Sequence, residues 1–165
     1  MDNTSQNSEN EMKLYMTNQN ANVDGKAYTL TSESPAASDS LSYVYDPDNP
    51  KMTEGGECML TSPLAGSREL SEPGYRDDVL SFVTDPLKED CAIGGSIKAD
   101  LFVSSDCEDT AFTFTVSEID ENGKAHNIRN GLLTLGYRNN RYEPPVYDYK
   151  PNSIVEITIE SLPIM

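Results

Sequence analysis

The 165-residue chain has no tryptophan, one histidine, three cysteines and few basic residues, and each scarcity removes a class of chemistry. Nucleophilic hydrolysis needs a Ser, Cys or Thr beside a base that a third group orients. The sole imidazole is His126, just past an Asn122-Gly123 pair, and no GxSxG elbow occurs. Ser104-Ser105 likewise has no evident base, so no catalytic residue is expected in this chain. Cys58, Cys91 and Cys107 are separated by 33 and 16 positions, which fits neither a paired zinc motif nor a disulfide framework. Twelve Lys and Arg against 28 Asp and Glu give a net charge of −16, which argues against a nucleic-acid partner. No window nears the roughly 20 apolar residues of a membrane span, and Met1 to Glu11 lacks the apolar core of a signal peptide, so no membrane partner is expected. Amphipathic-helix spacing is also missing.

What is present reads as a β protein. Apolar residues make up 36% of the chain, with nine Tyr and four Phe, enough to close a core. After a polar tail over residues 1–11, short apolar runs recur between turn residues from Met12 onward. The clearest strand is Ala111 to Ile119, where Phe112, Phe114 and Val116 alternate with Thr113, Thr115 and Ser117. Asn122-Gly123 then suits a primed hairpin turn into a strand from Ala125 to Ile128. Ile97 to Ser104, Gly131 to Arg138, Val79 to Thr84, Ile154 to Glu160 and Ser40 to Tyr45 are further strands, with Lys13 to Met16 and Tyr28 to Thr31 weaker. Eight or nine such strands predict an all-β antiparallel sandwich.

Two carboxylate clusters, Asp46-Pro47-Asp48-Asn49 and Ser105-Asp106-Cys107-Glu108-Asp109, could supply oxygen ligands to calcium. Neither has EF-hand order, and both suit turns in which a short carboxylate bonds backbone two residues on. No metal site and no cofactor is therefore expected. Asp106 and Asp109 could imitate a glycosidase pair, but sequence spacing carries no information on their separation. Late in the chain, Tyr137, Tyr142, Tyr147 and Tyr149 sit among prolines, where they either cover a sheet edge or offer rings to a sugar or a partner protein. Between Tyr45 and Val79 lies a long aperiodic stretch, of the kind that packs against something or carries a function.

Several short motifs from Arg76 onward keep one order. These are Arg76-Asp77-Asp78-Val79-Leu80-Ser81-Phe82-Val83-Thr84-Asp85-Pro86-Leu87, Gly94-Gly95-Ser96-Ile97-Lys98-Ala99-Asp100-Leu101-Phe102-Val103-Ser104-Ser105-Asp106, and Asp109-Thr110. Before them stand Tyr43-Val44-Tyr45-Asp46-Pro47-Asp48-Asn49-Pro50 and Gly55-Gly56, and after them Asp120-Glu121-Asn122-Gly123-Lys124-Ala125 and Asn130-Gly131. From about Met12 to Leu162 the chain resembles the C-terminal jelly-roll domain of X-Pro dipeptidyl-peptidases and cocaine-esterase-type serine hydrolases. The resemblance implies a galactose-binding-like jelly roll over residues 12–165, non-catalytic, packed in the parent chain against an α/β-hydrolase domain that carries the triad and a helical cap. It implies that this domain supports and partly walls the parent's active site. The family pattern departs at Glu69-Leu70, where Asp-Gln is usual, at Ala111, where Asp is usual, and in the missing tryptophan. The family also continues past Leu162, so the domain is expected to be C-terminally incomplete, with an open sheet edge near Ile154 to Glu160 that permits self-association. A stand-alone carbohydrate- or protein-binding module is the alternative.

Overall fold

The computed structural model describes residues 11–21, 23, 26–56 and 65–164. The expected tail therefore lies outside the described residues but for Glu11, and so does Cys58. Seven strands are present, with one short 3-10 turn and no α-helix among the described residues: β1 (Tyr15–Asn20), β2 (Tyr28–Thr31), β3 (Phe82–Val83), β4 (Lys98–Val103), β5 (Ala111–Ile119), β6 (Ala125–Thr134) and β7 (Val155–Glu160). The protein is all-β. It divides into two compact units, formed by the described residues of Met1–Pro50 with Glu72–Asp90 and of Lys51–Ser71 with Cys91–Met165.

In the second unit, β5 and β6 form an antiparallel ribbon and β4 pairs antiparallel with β7 along its whole length. Alternation decides which side is buried. Phe112 and Phe114 of β5, Leu133 of β6, Ala99, Leu101 and Val103 of β4, and Val155, Ile157 and Ile159 of β7 share one core with Leu135 and Tyr149. Thr113 and Thr115 face outward, as the alternation requires. The apolar row of β7, expected to lie open at an edge, is instead turned into this core, with Ile157 2% and Ile159 0% exposed. Burial of apolar surface outweighs anything those side chains could gain at an open edge.

Three local expectations are corrected. The two strands expected over residues 125–128 and 131–138 are one, β6, bent by a bulge at Ile128 and ended by the 3-10 turn Leu135–Tyr137. The hairpin loop is not a primed turn, because only Gly123 has positive φ. The Gly123 amide bonds Asp120 O and the Asp120 amide bonds Lys124 O, giving a type I turn closed by a left-handed glycine. Asp120 selects this form, since its carboxylate accepts the amides of Asn122 and Lys124, both at 2.8 Å. Third, Ser40 to Tyr45 is not a strand: no strand among the described residues pairs with it, and Val44 is 88% exposed. Its β-forming composition lacks a neighbour to bond.

The first unit is a small sheet in the order β1-β2-β3, in which β1–β2 is antiparallel and β2–β3 is a two-residue parallel contact. Of the strand expected over residues 79–84 only Phe82–Val83 pairs, extended by the Tyr28 amide on Ser81 O at 2.8 Å. Tyr28 and Phe82 pack ring against ring at 5.7 Å.

Candidate functional site

The most organised surface feature joins two segments far apart in the sequence. Arg76 lies in the loop before β3, and its guanidinium grips Asp78 in a two-pronged bond, Nε to Oδ1 and Nη2 to Oδ2, each 2.6 Å. The same Nη2 donates to the backbone carbonyl of Asn49 at 2.6 Å, while Nη1 reaches Asn49 Oδ1 at 3.4 Å. Both partners of the Arg76–Asp78 pair are largely shielded from solvent. A planar fork that meets a carboxylate this way is held in orientation as well as neutralised. The Arg76 guanidinium holds the Asp78 carboxyl below the usual carboxylate range.

Asn49 is presented by a turn built into Asp46-Pro47-Asp48-Asn49. The Asp46 carboxylate accepts the Asp48 amide at 3.0 Å and the Asp46 carbonyl accepts the Asn49 amide at 3.1 Å. The cluster is thus a turn, as its short acidic side chains allow. Just before it, Tyr43 is pushed up in pKa by burial and by the nearby Asp78 charge. Val44, Asp46, Asn49, Arg76, Asp77 and Asp78 line an open depression of about 260 Å³. Both segments carry motifs that the sequence singled out, yet nothing in their spacing revealed that Arg76 ties them together.

The other candidates are placed as follows. His126 sits on β6 with Nε2 3.6 Å from Asp120 Oδ2, beside the ion pair of Lys124 with Glu69. No hydrogen bond joins it to a hydroxyl or thiol among the described residues. Ser105 serves local structure, its amide donating to the Tyr149 hydroxyl at 2.8 Å and its own hydroxyl accepting the Cys107 amide at 3.2 Å. Asp109 accepts the Gly136 amide at 3.1 Å. Among the described residues, no three His, Cys, Asp or Glu side chains gather as a metal centre requires. Cys91 and Cys107 are exposed free thiols.

The four late tyrosines divide. Tyr149 belongs to the core, its hydroxyl donating to Ser153 O at 2.8 Å, whereas Tyr142 and Tyr147 are 88% and 72% exposed. Arg141 stacks over the Tyr142 ring at 5.9 Å. Of the aperiodic stretch, the described residues between Lys51 and Ser71 belong to the second unit. Gly56 and Gly66 exchange backbone bonds of 2.8 and 3.0 Å, and Leu70 donates to Ala125 O at 2.7 Å. Sequence reasoning missed Asn127, a buried amide whose Oδ1 accepts the Arg68 amide at 2.7 Å. Its signal was a polar residue at an inward position of a strand, which calls for a partner.

A family model described as the X-Pro dipeptidyl-peptidase C-terminal non-catalytic domain matches residues 2–165. Cocaine esterase of Rhodococcus sp. (strain MB1 Bresler) is 28% identical over 142 residues, covering 86% of this chain but only 24% of the relative's length. The chain thus spans about a quarter of the relative it matches.

Proposed function

The chain belongs to the family of the C-terminal non-catalytic domain of X-Pro dipeptidyl-peptidase, and from that premise we propose that it is the accessory β-sandwich of a longer serine hydrolase. In this reading residues 12–165 make up the jelly-roll domain. It supports, and partly walls, the active site of an α/β-hydrolase domain in the same parent chain, which releases dipeptides by cleavage after a penultimate proline or hydrolyses esters and amides of small acids. The observation that carries the reading is the family match through nearly the whole chain. The clamp of Arg76 on Asp78 and Asn49 supports it, since it joins two of the motifs behind the resemblance. No residue here is assigned a catalytic, metal-binding or cofactor role.

The test has two arms. The isolated chain, offered Gly-Pro and short acyl ester chromogenic substrates, is expected to give background turnover unchanged by His126→Ala. The reading frame that contains this sequence is expected to encode a GxSxG hydrolase domain whose activity falls when residues 12–165 are deleted. Turnover by the isolated chain that vanishes with His126→Ala would overturn the assignment, as would a frame without a hydrolase domain.

A stand-alone carbohydrate-binding module is the second reading, favoured by the exposed rings of Tyr142 and Tyr147. Titration with neutral oligosaccharides separates the two, since binding lost in Tyr142→Ala would support the module. Pairing of two copies through a sheet edge would have to use backbone groups, because the apolar side chains of β7 are engaged in the core. Light scattering across a salt series tests that pairing.

A further inference from the structure

Tyr43, Val44 and Tyr45 are consecutive, with Val44 fully turned to solvent and the two tyrosine rings about half exposed, and the segment is anchored at its C-terminal end. The segment runs directly into the Asp46 turn, and that turn is fastened to Arg76 through Asn49. A segment held at one end in this way has less freedom to lose on binding a partner than an untethered loop would. The wall beside them is anionic. Asp46, Asp77 and Asp78 line the depression against one guanidinium, and Arg76 is spent on Asp78. Lys26 pairs with Asp77 within the same unit, which leaves the Asp46 carboxylate as the surplus charge.

We propose that Tyr43–Val44–Tyr45 and the adjoining depression are the face on which the catalytic part of the parent chain docks, by a surface that presents an apolar side chain for Val44 and a cation for Asp46. This rests on the accessory-domain reading and adds to it the surface used. The occupant is identified by length and charge: the relative is more than three times as long as this chain, and a face that is apolar with a net negative rim selects an apolar, basic partner surface.

Hydroxyl-radical footprinting of the full-length protein and of the 165-residue chain tests this. Tyr45 is expected to react severalfold more slowly in the full-length protein, and Val44→Asp is expected to restore its reactivity there. The same substitution should leave the melting temperature of the 165-residue chain unchanged, because Val44 is solvent-facing, so restored reactivity is not a folding defect. Equal labelling of Tyr45 in both proteins overturns the assignment. Protection of Tyr45 in the 165-residue chain that grows with concentration also overturns it, by giving the face to a second copy. If deletion of residues 12–165 lowers activity while Tyr45 stays reactive, the docking face is wrong and the accessory role stands. If the frame encodes no hydrolase domain, both fall together.

Discussion

Replacing Gly131 by alanine tests the core of the second unit with a single methyl group. Gly131 lies directly opposite Phe114 in the β5–β6 register. A Cβ placed there would stand 2.7 Å from Cζ of Phe114 and 3.0 Å from Cγ2 of Ile159, closer than carbon atoms pack. Two effects compete. Glycine to alanine restricts the unfolded chain and should stabilise by about 0.4–1 kcal/mol where the native backbone tolerates it, and Gly131 has no positive φ to forbid it. Overpacking costs about 1–3 kcal/mol when neighbours cannot move away. Ile159, which is fully buried, cannot easily do so, and the ring of Phe114, partly buried, can shift only by giving up contacts with the core. The net expectation is a loss of about 1–2 kcal/mol, or about 2–8 °C in melting temperature for a chain of this size. Urea unfolding followed by tyrosine fluorescence reads it. In a double-mutant cycle Phe114→Leu should recover part of the loss, with a coupling of at least about 0.5 kcal/mol. A neutral or stabilising Gly131→Ala, or strict additivity with Phe114→Leu, would refute the close approach of Phe114 to the β6 backbone.

Tyr149→Phe should cost about 1–3 kcal/mol by the same assay, because it leaves the Ser105 amide and the Ser153 carbonyl without the buried hydroxyl that joins them; an unchanged midpoint would mean that water replaces the hydroxyl. The Asp120 carboxyl is held below its usual range chiefly by the Lys124 amide, then by that of Asn122. A carboxyl lowered in the folded state adds stability above its unfolded pKa of about 3.9, and that stability is lost as pH falls through the folded value. Asp120→Asn should therefore lower the melting temperature at pH 7 and narrow the difference from wild type below pH 4, and a deficit independent of pH would sink the argument.

Local chemistry made much of this protein legible without a structure. The uninterrupted alternation of Phe112, Phe114 and Val116 with Thr113, Thr115 and Ser117 determined both the strand and its buried face, because period two permits no other packing. The Asp46 cluster announced its turn for a similarly short-range reason, since the Asp46 side chain reaches its own backbone two residues on. The ordered motifs determined the family, which the model matching residues 2–165 bears out. Tertiary structure decided what depends on distant partners. Ser40 to Tyr45 has the composition of a strand but no adjacent strand, so it became a surface segment. The apolar row of β7 could have faced water or core, and β4 together with the β5–β6 ribbon supplied the core. Tyr149 was drawn inward and Tyr142 left outside by contacts that no spacing encodes. Arg76 and Asn49 stand 27 residues apart and meet only because the chain returns to the same place. Hydrogen bonds and apolar burial act between neighbours in space, and sequence period reports only neighbours along the chain.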